Sequence, residues 1–315
     1  MAPIITLTMN PALDIATSAD VIRPTSKVRC SEARHDAGGG GINVARIAKA
    51  LGVDVTAVFP AGGSTGAVVE DLVARAGVTA RVVPIVGATR ESFTVTERTS
   101  GQQYRFVLPG PHLTVVEQER CLDELRTLAG SADYVVASGS LPPSVPQDFY
   151  QRVADICRET GTLLVLDASG GGLRNIASGA FLIKPSLREL REYFARELAT
   201  ESEQVAAARE LIDRGVSQSV VVSLGADGAL LVTSQTAERF SGIPARVVSA
   251  VGAGDAMVTG IVVGLTRGWP LVEAVRLGIA AGTAMLLTPG TAVPARSDVD
   301  HFLRLAPQPH TVGLV

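Results

Sequence analysis

The chain has 315 residues, 46% apolar and 19% charged, with 28 Lys and Arg against 31 Asp and Glu for a net charge of −3. That composition leaves ample core for one large domain or two modest ones and excludes a disordered or fibrous chain, while the slight acidic balance argues against a nucleic-acid surface. The three cysteines, Cys30, Cys121 and Cys157, are odd in number, far apart and without CxxC spacing, which points to a reducing compartment and away from a disulfide framework or a zinc site. Met1 to Thr8 has no basic leader region, and the apolar runs 256–266 and 279–287 are interrupted by Gly and Thr before they reach a membrane span. A cytoplasmic location is expected.

Ile4–Thr8 is a short β-branched run that ends at Asn10-Pro11, a buried strand followed by a turn. Asp14 lies just past it, where an acid either bonds its own turn or holds ligand hydroxyls at the carboxyl end of the sheet. Residues 20–36 are polar and mixed, with Lys27 and Arg29, and read as part of a patch of short strands. Four glycines, Gly38 to Gly41, then lead through Ile42 and Asn43 into a helix reaching Leu51. They do not make a dinucleotide fingerprint: Ser31–Asp36 reads as no buried strand, and the third glycine position is Asn43. They still permit close approach of a ligand to the backbone, with Asn43 offering both donor and acceptor.

Val53–Phe59 and Val82–Val86 read as strands flanking a helix over 66–76. Thr94–Glu97 and Gln103–Val107 alternate around Ser100-Gly101 as a hairpin. With the 20–36 segment this hairpin forms a small β lid, built from about 12–36 and 88–108 and inserted in a single α/β domain over 1–315. So thin a sheet has a face with nothing to cover it, so a second lid is expected to pair with it in a homodimer.

Beyond Pro109 the rhythm is regular: helix 115–128, strand 134–137, helix 147–159, strand 163–167, strand 181–183, a helix carrying Glu189, helix 203–214, and strands 219–223 and 229–232. This alternation predicts a mostly parallel sheet covered on both faces. No internal repeat and no GxxxxGK[ST] phosphate loop is present. Val251-Gly252-Ala253-Gly254-Asp255 runs directly into an apolar helix. Such a turn cradles an anion on free N–H groups. Asp255 either caps that helix or takes a proton from an attacking hydroxyl.

These loops mostly follow strands and so share one rim, together with Ser138–Ser140, Lys184–Glu189 and 223–228. The rim holds an acid at an anion cradle, a lysine and a metal-capable Glu189, but no Ser-His-Asp arrangement, since His35, His112, His301 and His310 fall mostly elsewhere. The inventory suits phosphoryl transfer.

The two glycine motifs, Gly38–Ala45 and Val251–Asp255, resemble the two signatures of the ribokinase-like (PfkB) family of sugar kinases, and the resemblance covers essentially the whole chain. It implies a three-layer α/β/α sandwich with a β lid. Segments such as Phe59–Gly63, Gln103–Val107 and Ser138–Pro143 are most similar to family members that phosphorylate fructose 6-phosphate, with tagatose 6-phosphate and fructose 1-phosphate as alternative acceptors. A non-catalytic sugar-phosphate or nucleotide sensor is the reading from a different class.

The resemblance implies roles. Asp255 would be the base, and the N–H groups of Gly252, Ala253 and Gly254 the anion hole. Asp14, Gly39, Gly40, Asn43 and Ser140 would meet the sugar, and Arg90, with Lys27, Arg29 and Arg105, its phosphate. Lys184, Ser186, Ser223, Gly225, Ala226, Gly228 and Gly254 would line ATP. Glu189 would support Mg²⁺ through water, and the backbone at Ser249 and Val251 would hold K⁺. The family commonly has Asn where this chain has Ser186, which shortens a polar group near the metal.

Overall fold

The computed structural model describes residues 3–313; Met1 and Ala2, the start of the segment read for a leader, lie outside them. β1 (Ile4–Leu7), β2 (Ala12–Ala19) and β3 (Arg34–Gly38) precede α1 (Gly40–Ala50), which follows β3 after one residue. β4 (Val55–Ala61), α2 (Gly63–Arg75) and β5 (Thr79–Pro84) follow, and then the hairpin β6 (Arg90–Glu97) and β7 (Gln103–Val107). The regular part runs α3 (Val115–Ala129), β8 (Tyr134–Ser138), α4 (Phe149–Thr160), β9 (Leu163–Asp167), the single turn α5 (Gly171–Arg174) and β10 (Ala180–Ile183). It continues with α6 (Leu187–Phe194), α7 (Glu201–Asp213), β11 (Ser217–Ser223), β12 (Ala229–Thr233) and β13 (Ala237–Phe240). Helices α8 (Ala253–Thr266), α9 (Leu271–Met285) and α10 (Arg296–Leu305) and the edge strand β14 (His310–Val312) complete it.

Ten strands form one sheet in the order β14-β13-β12-β11-β10-β9-β8-β1-β4-β5, parallel from β11 to β5 and antiparallel at the β14 end. Its strands are apolar on both faces, as parallel strands covered on both sides must be. Successive residues divide between the two layers. Ile4, Phe59 and Val136 pack with α1, α8 and α9, whereas Ile5, Val58 and Val135 pack with α3, α4 and α7. The ribokinase-like α/β/α sandwich expected from the motifs is the fold found. The small residues of 256–265 serve close helix packing rather than a membrane. A Cβ at Gly260 of α8 would lie 2.5 Å from Leu277 O of α9, and no helix among the described residues is long and apolar enough to cross a membrane.

The second sheet has the order β3-β2-β6-β7, with β2 and β6 parallel and the outer pairs antiparallel. Three expectations change here. Asp14 is not in a turn: it is the third residue of β2, paired with Asp36 of β3. The Ser31–Asp36 stretch, read as no buried strand, does supply β3, whose outer end is exposed while Asp36 to Gly38 are buried. A polar run becomes a strand because it pairs with β2 in this separate sheet, so packing overrides local propensity. Conversely, residues 21–33 form no strand, so the short strands expected across 20–36 reduce to β3. α7 starts at Glu201 rather than 203 because Thr200 caps it reciprocally with Glu203.

Phe59 is fully buried at the centre of β4. Phe59→Ala is expected to cost about 3–5 kcal/mol through lost burial and the cavity left behind, read as a lower urea midpoint with an unchanged far-UV spectrum.

Candidate active site

The carboxyl ends of β1, β8, β9, β10 and β11 point to one rim of the large sheet, and the N-termini of α1 and α8 converge above it. Gly252 is the N-cap of α8, with φ 79°, and a Cβ there would lie 2.8 Å from Met285 Cε. Only glycine fits that left-handed turn. No side chain caps the helix, which removes the capping alternative for Asp255. Its Oδ2 instead accepts a 2.8 Å hydrogen bond from Asn43 Nδ2 in the first turn of α1. Burial is the main force that pushes the Asp255 carboxyl up to about 7; Asp167 adds to the rise, and Asn43 and Lys184 oppose it.

Between the turn and the small sheet lies a cavity of about 200 Å³, lined by Asp14, Gly39, Gly40, Asn43, Arg90 and Arg105, with Gly252 and Asp255 at its floor. Gly38 makes room for the acid above it, since a Cβ there would fall 2.2 Å from Asp14 Oδ2. Burial pushes Asp14 up to about 6 against the pull of Arg90 and Arg105. Arg90 is fixed in place: Nη1 donates to Leu108 O at 3.0 Å and Nη2 to Asn10 O at 3.1 Å. Ser140 sits beside this cavity and accepts from Asn10 Nδ2 at 3.2 Å, and Tyr150 Oη donates to Gly139 O at 2.8 Å and holds the loop. Asn43 Oδ1 and Thr291 Oγ1 are buried without a hydrogen-bond partner among the described residues, and both residues line this cavity. Orphaned buried polar atoms of this kind are rare in a folded core and suit a site that receives a polar ligand.

On the other side of the turn lies a cavity of about 410 Å³, lined by Ser223, Gly225, Ala226, Gly228, Ala253 and Gly254, with Met257, Ile279 and Leu286 as an apolar wall. Neighbouring residues of one turn therefore face two compartments: Val251, Gly252 and Asp255 the first, Ala250, Ala253 and Gly254 the second. Polar glycine loops opposite an apolar wall suit a ligand with a flat ring and a polar tail.

Lys184 lies beneath the turn. Its Nζ is 3.1 Å from Asp167 Oδ1, and it is the atom nearest a Cβ placed on Gly254, at 3.7 Å. Burial raises Asp167. For Lys184 burial acts downward, but Asp167, Glu189 and Asp255 more than reverse it, and the ammonium is held. Ser186 is the N-cap of α6: its Oγ accepts from Glu189 N at 3.2 Å, while Glu189 Oε2 accepts from Ser186 N and Oγ at 2.8 Å each. Serine in place of asparagine is thus accounted for as an equally good cap, with Glu189 turned back onto it. Ser249 is buried; its Oγ donates to Gln103 Oε1 and accepts from Val251 N, both at 3.3 Å.

The rim thus gathers the expected residues except two. Lys27 and Arg29 lie on the exposed 20–33 connection and do not line the cavity that holds Arg90 and Arg105. Sequence reasoning also missed Asp167, Asn10 and Thr291. Asp167 carried a usable signal, an acid at the carboxyl end of a buried strand; the other two are brought in only by packing.

A family model described as pfkB family carbohydrate kinase matches residues 7–298. The chain is 65% identical over 310 residues to ATP-dependent 6-phosphofructokinase isozyme 2 of Mycobacterium tuberculosis, covering 98% of this chain and 91% of that one. It is 39% identical to the isozyme 2 enzyme of Escherichia coli K12, covering 95% and 97%, and 32% identical to 1-phosphofructokinase of Bacillus subtilis, covering 89% and 91%. Crystal structures of Escherichia coli phosphofructokinase-2 superpose over 97% of this chain and 99% of that one. The complex with fructose-6-phosphate gives a TM-score of 0.90 at 36% identity, the complex with potassium 0.92 at 37%, and the tetrameric inhibited form 0.90 at 36%.

The raised Asp255 carboxyl has a consequence for stability. With a folded value of about 7 against an ordinary 3.8, the native state binds a proton between those limits that the unfolded chain has released. The group therefore lowers stability as pH rises from about 4 to about 7. Asp255→Asn is expected to match the parent near pH 4 and to exceed it progressively toward pH 8 in denaturant midpoint. A difference that does not change with pH would refute the raised carboxyl.

Proposed function

The chain belongs to the pfkB family of carbohydrate kinases, and from that membership and its two cavities we propose that it transfers the γ-phosphoryl group of ATP to the 1-hydroxyl of fructose 6-phosphate. The observation that carries the reading is Asp255: a carboxylate held off its own helix by Asn43, at the boundary between the two compartments. A carboxyl poised near 7 is a base matched to neutral pH. It accepts the proton of the sugar hydroxyl as the oxygen attacks phosphorus, and later releases it to solvent.

The N–H groups at Gly252 and Gly254, and that of Ala253 once it exchanges its 3.4 Å bond to Ala250 O, meet the oxygens of the phosphoryl group in transit, where fixed donors in a partly dry site stabilise developing charge. Asp14, Gly39, Gly40 and Asn43 hold sugar hydroxyls, with Ser140 closing the pocket through Asn10. Arg90, locked by two carbonyls, and Arg105 take the 6-phosphate, a dianion that a guanidinium fork matches. Ser223, Gly225, Ala226 and Gly228 receive the nucleotide's ribose and base. Lys184, kept charged by Asp167, faces its phosphates.

Glu189, whose Oε1 stays outside the capping box with Ser186, would support a magnesium ion carried by the nucleotide through water, since Mg²⁺ usually keeps several waters beside one or two carboxylates and phosphate oxygens. Such an ion would supply charge neutralisation on the transferred phosphoryl group. The backbone at Ser249 and Val251 is a candidate potassium site, supported by the potassium complex of the Escherichia coli relative. The small sheet exposes Phe106, Val107 and Leu108 on its β7 edge, and pairing of two such sheets in a homodimer would cover them.

Fructose 1-phosphate and tagatose 6-phosphate also bring a phosphate to the arginines. The 65% identity to a 6-phosphofructokinase, against 32% to a 1-phosphofructokinase, favours fructose 6-phosphate.

ADP release with Mg-ATP, compared across the three sugar phosphates, is expected to give the highest kcat/KM with fructose 6-phosphate; equal or negligible rates with all three would overturn the assignment. For that substrate kcat/KM is expected to fall on the acid side with a limb near pH 7, as Asp255 takes up its proton. Asp255→Asn should lower kcat by roughly 10²–10⁴ while fructose 6-phosphate still binds by calorimetry.

A further inference from the structure

We propose that Gln103 is a positioning residue for phosphoryl transfer, through which the small sheet, once it has closed on the sugar phosphate, holds the turn that opens α8. This rests on the kinase reading above and deepens it. Along a strand alternate residues share a face, so Gln103, Arg105 and Val107 of β7 face the same way. Arg105 and Val107 line the sugar-side cavity. A sugar phosphate gripped by Arg105 therefore fixes the face that also carries Gln103.

Gln103 is set in that sheet by its neighbour. Thr96 lies opposite it in the β6–β7 ladder, and Gln103 Nε2 donates to Thr96 Oγ1 at 3.3 Å. The amide is thereby oriented with Oε1 toward Ser249, whose hydroxyl donates to it at 3.3 Å across 146 residues of sequence. Ser249 is 1% exposed, and the same hydroxyl accepts from Val251 N. Val251 precedes the Gly252 cap. The segment is anchored from behind as well: Val248 N and Ser249 N both donate to Leu286 O, at 2.7 and 3.3 Å.

The 247–251 segment is a wall common to both compartments. Val247 and Ala250 line the nucleotide side, and Val251 lines the sugar side. The relay Thr96–Gln103–Ser249–Val251 is the hydrogen-bonded connection from the sheet that receives the sugar to the turn that receives the γ-phosphate. Its chemistry is that of a sensor for the occupied sugar site. With the sugar bound, the Ser249 hydroxyl has a fixed acceptor and the turn is held for the nucleotide.

The test measures coupling between the two ligands on the full chain by calorimetry, using a non-hydrolysable ATP analogue with Mg²⁺ in the absence and presence of saturating fructose 6-phosphate. In the parent protein the sugar is expected to tighten nucleotide binding by at least about fivefold. Gln103→Met keeps the length of the side chain but removes its acceptor. It is expected to bring that ratio close to one, with each ligand alone bound within about twofold of the parent and an unchanged melting temperature. Ser249→Ala, which removes the donor from the other side, should lose the coupling too, and the double variant should lose no more than either single one. Full coupling in Gln103→Met, or no coupling in the parent, overturns the proposal. So does weakened binding of the sugar alone, which makes Gln103 a direct contact instead. Failure of the parent to bind either ligand overturns the proposed function itself.

Discussion

The hydrogen bond from Asn43 to Asp255 joins two helix starts that are 212 residues apart in the chain. Both helices begin in glycine turns, and both point their N-termini at the same space above the sheet. A carboxylate in the first turn of a helix ordinarily bends back to its own free N–H groups, where the macrodipole holds it. Asn43 takes the acid away from that role, and the N–H groups of Gly252 and Gly254 have no partner among the described residues, while Ala253 N bonds Ala250 O at 3.4 Å. One contact thus leaves the Asp255 carboxyl turned away from its own helix, beside a glycine turn that no side chain caps.

The acids of this rim are held at a cost. Asp14, Asp167 and Asp255 sit close enough, and buried enough, that each is pushed above its ordinary range. Lys184 and Arg90 offset this only in part. A cluster of carboxyls that resist ionisation is poor material for stability, but it suits a site that must accept a proton at neutral pH and then receive ligands with several negative charges. Arg46 makes the contrast. Buried against Asp36 at 3.0 Å and bonded to Ala37 O and Thr291 O, it is paired structurally and ties the small sheet to the body.

The small sheet shows how function shapes local sequence. Gly38 has no side chain because Asp14 occupies the space, and β3 is polar because its partner strand, not a hydrophobic layer, holds it in place. The result is a thin cover with the cavity of Asp14, Asn43 and Arg90 on one side and exposed apolar residues at its β7 edge.

Much of this was legible in the chain itself. Buried parallel strands read as apolar runs and hairpin strands as alternation around a glycine turn, so 163–167 and 103–107 were recognised to the residue, and the glycines of 251–255 marked the tight turn that opens α8. These are signals in which a few neighbouring residues decide the outcome, since sheet burial and helix starts are local demands on side-chain type. What sequence left open was every question of which distant group comes near. Whether Asp255 caps its helix was decided by Asn43, whether Asp14 lies in a turn by β3, and whether Glu189 is free by Ser186. Asp167 became part of the site only when Lys184 was laid beside it, and Lys27 and Arg29 fell outside the cavity because the 20–33 connection runs over the surface. Those outcomes depend on packing between segments tens to hundreds of residues apart, and no local pattern encodes a contact whose energy arises only once the sheet has closed.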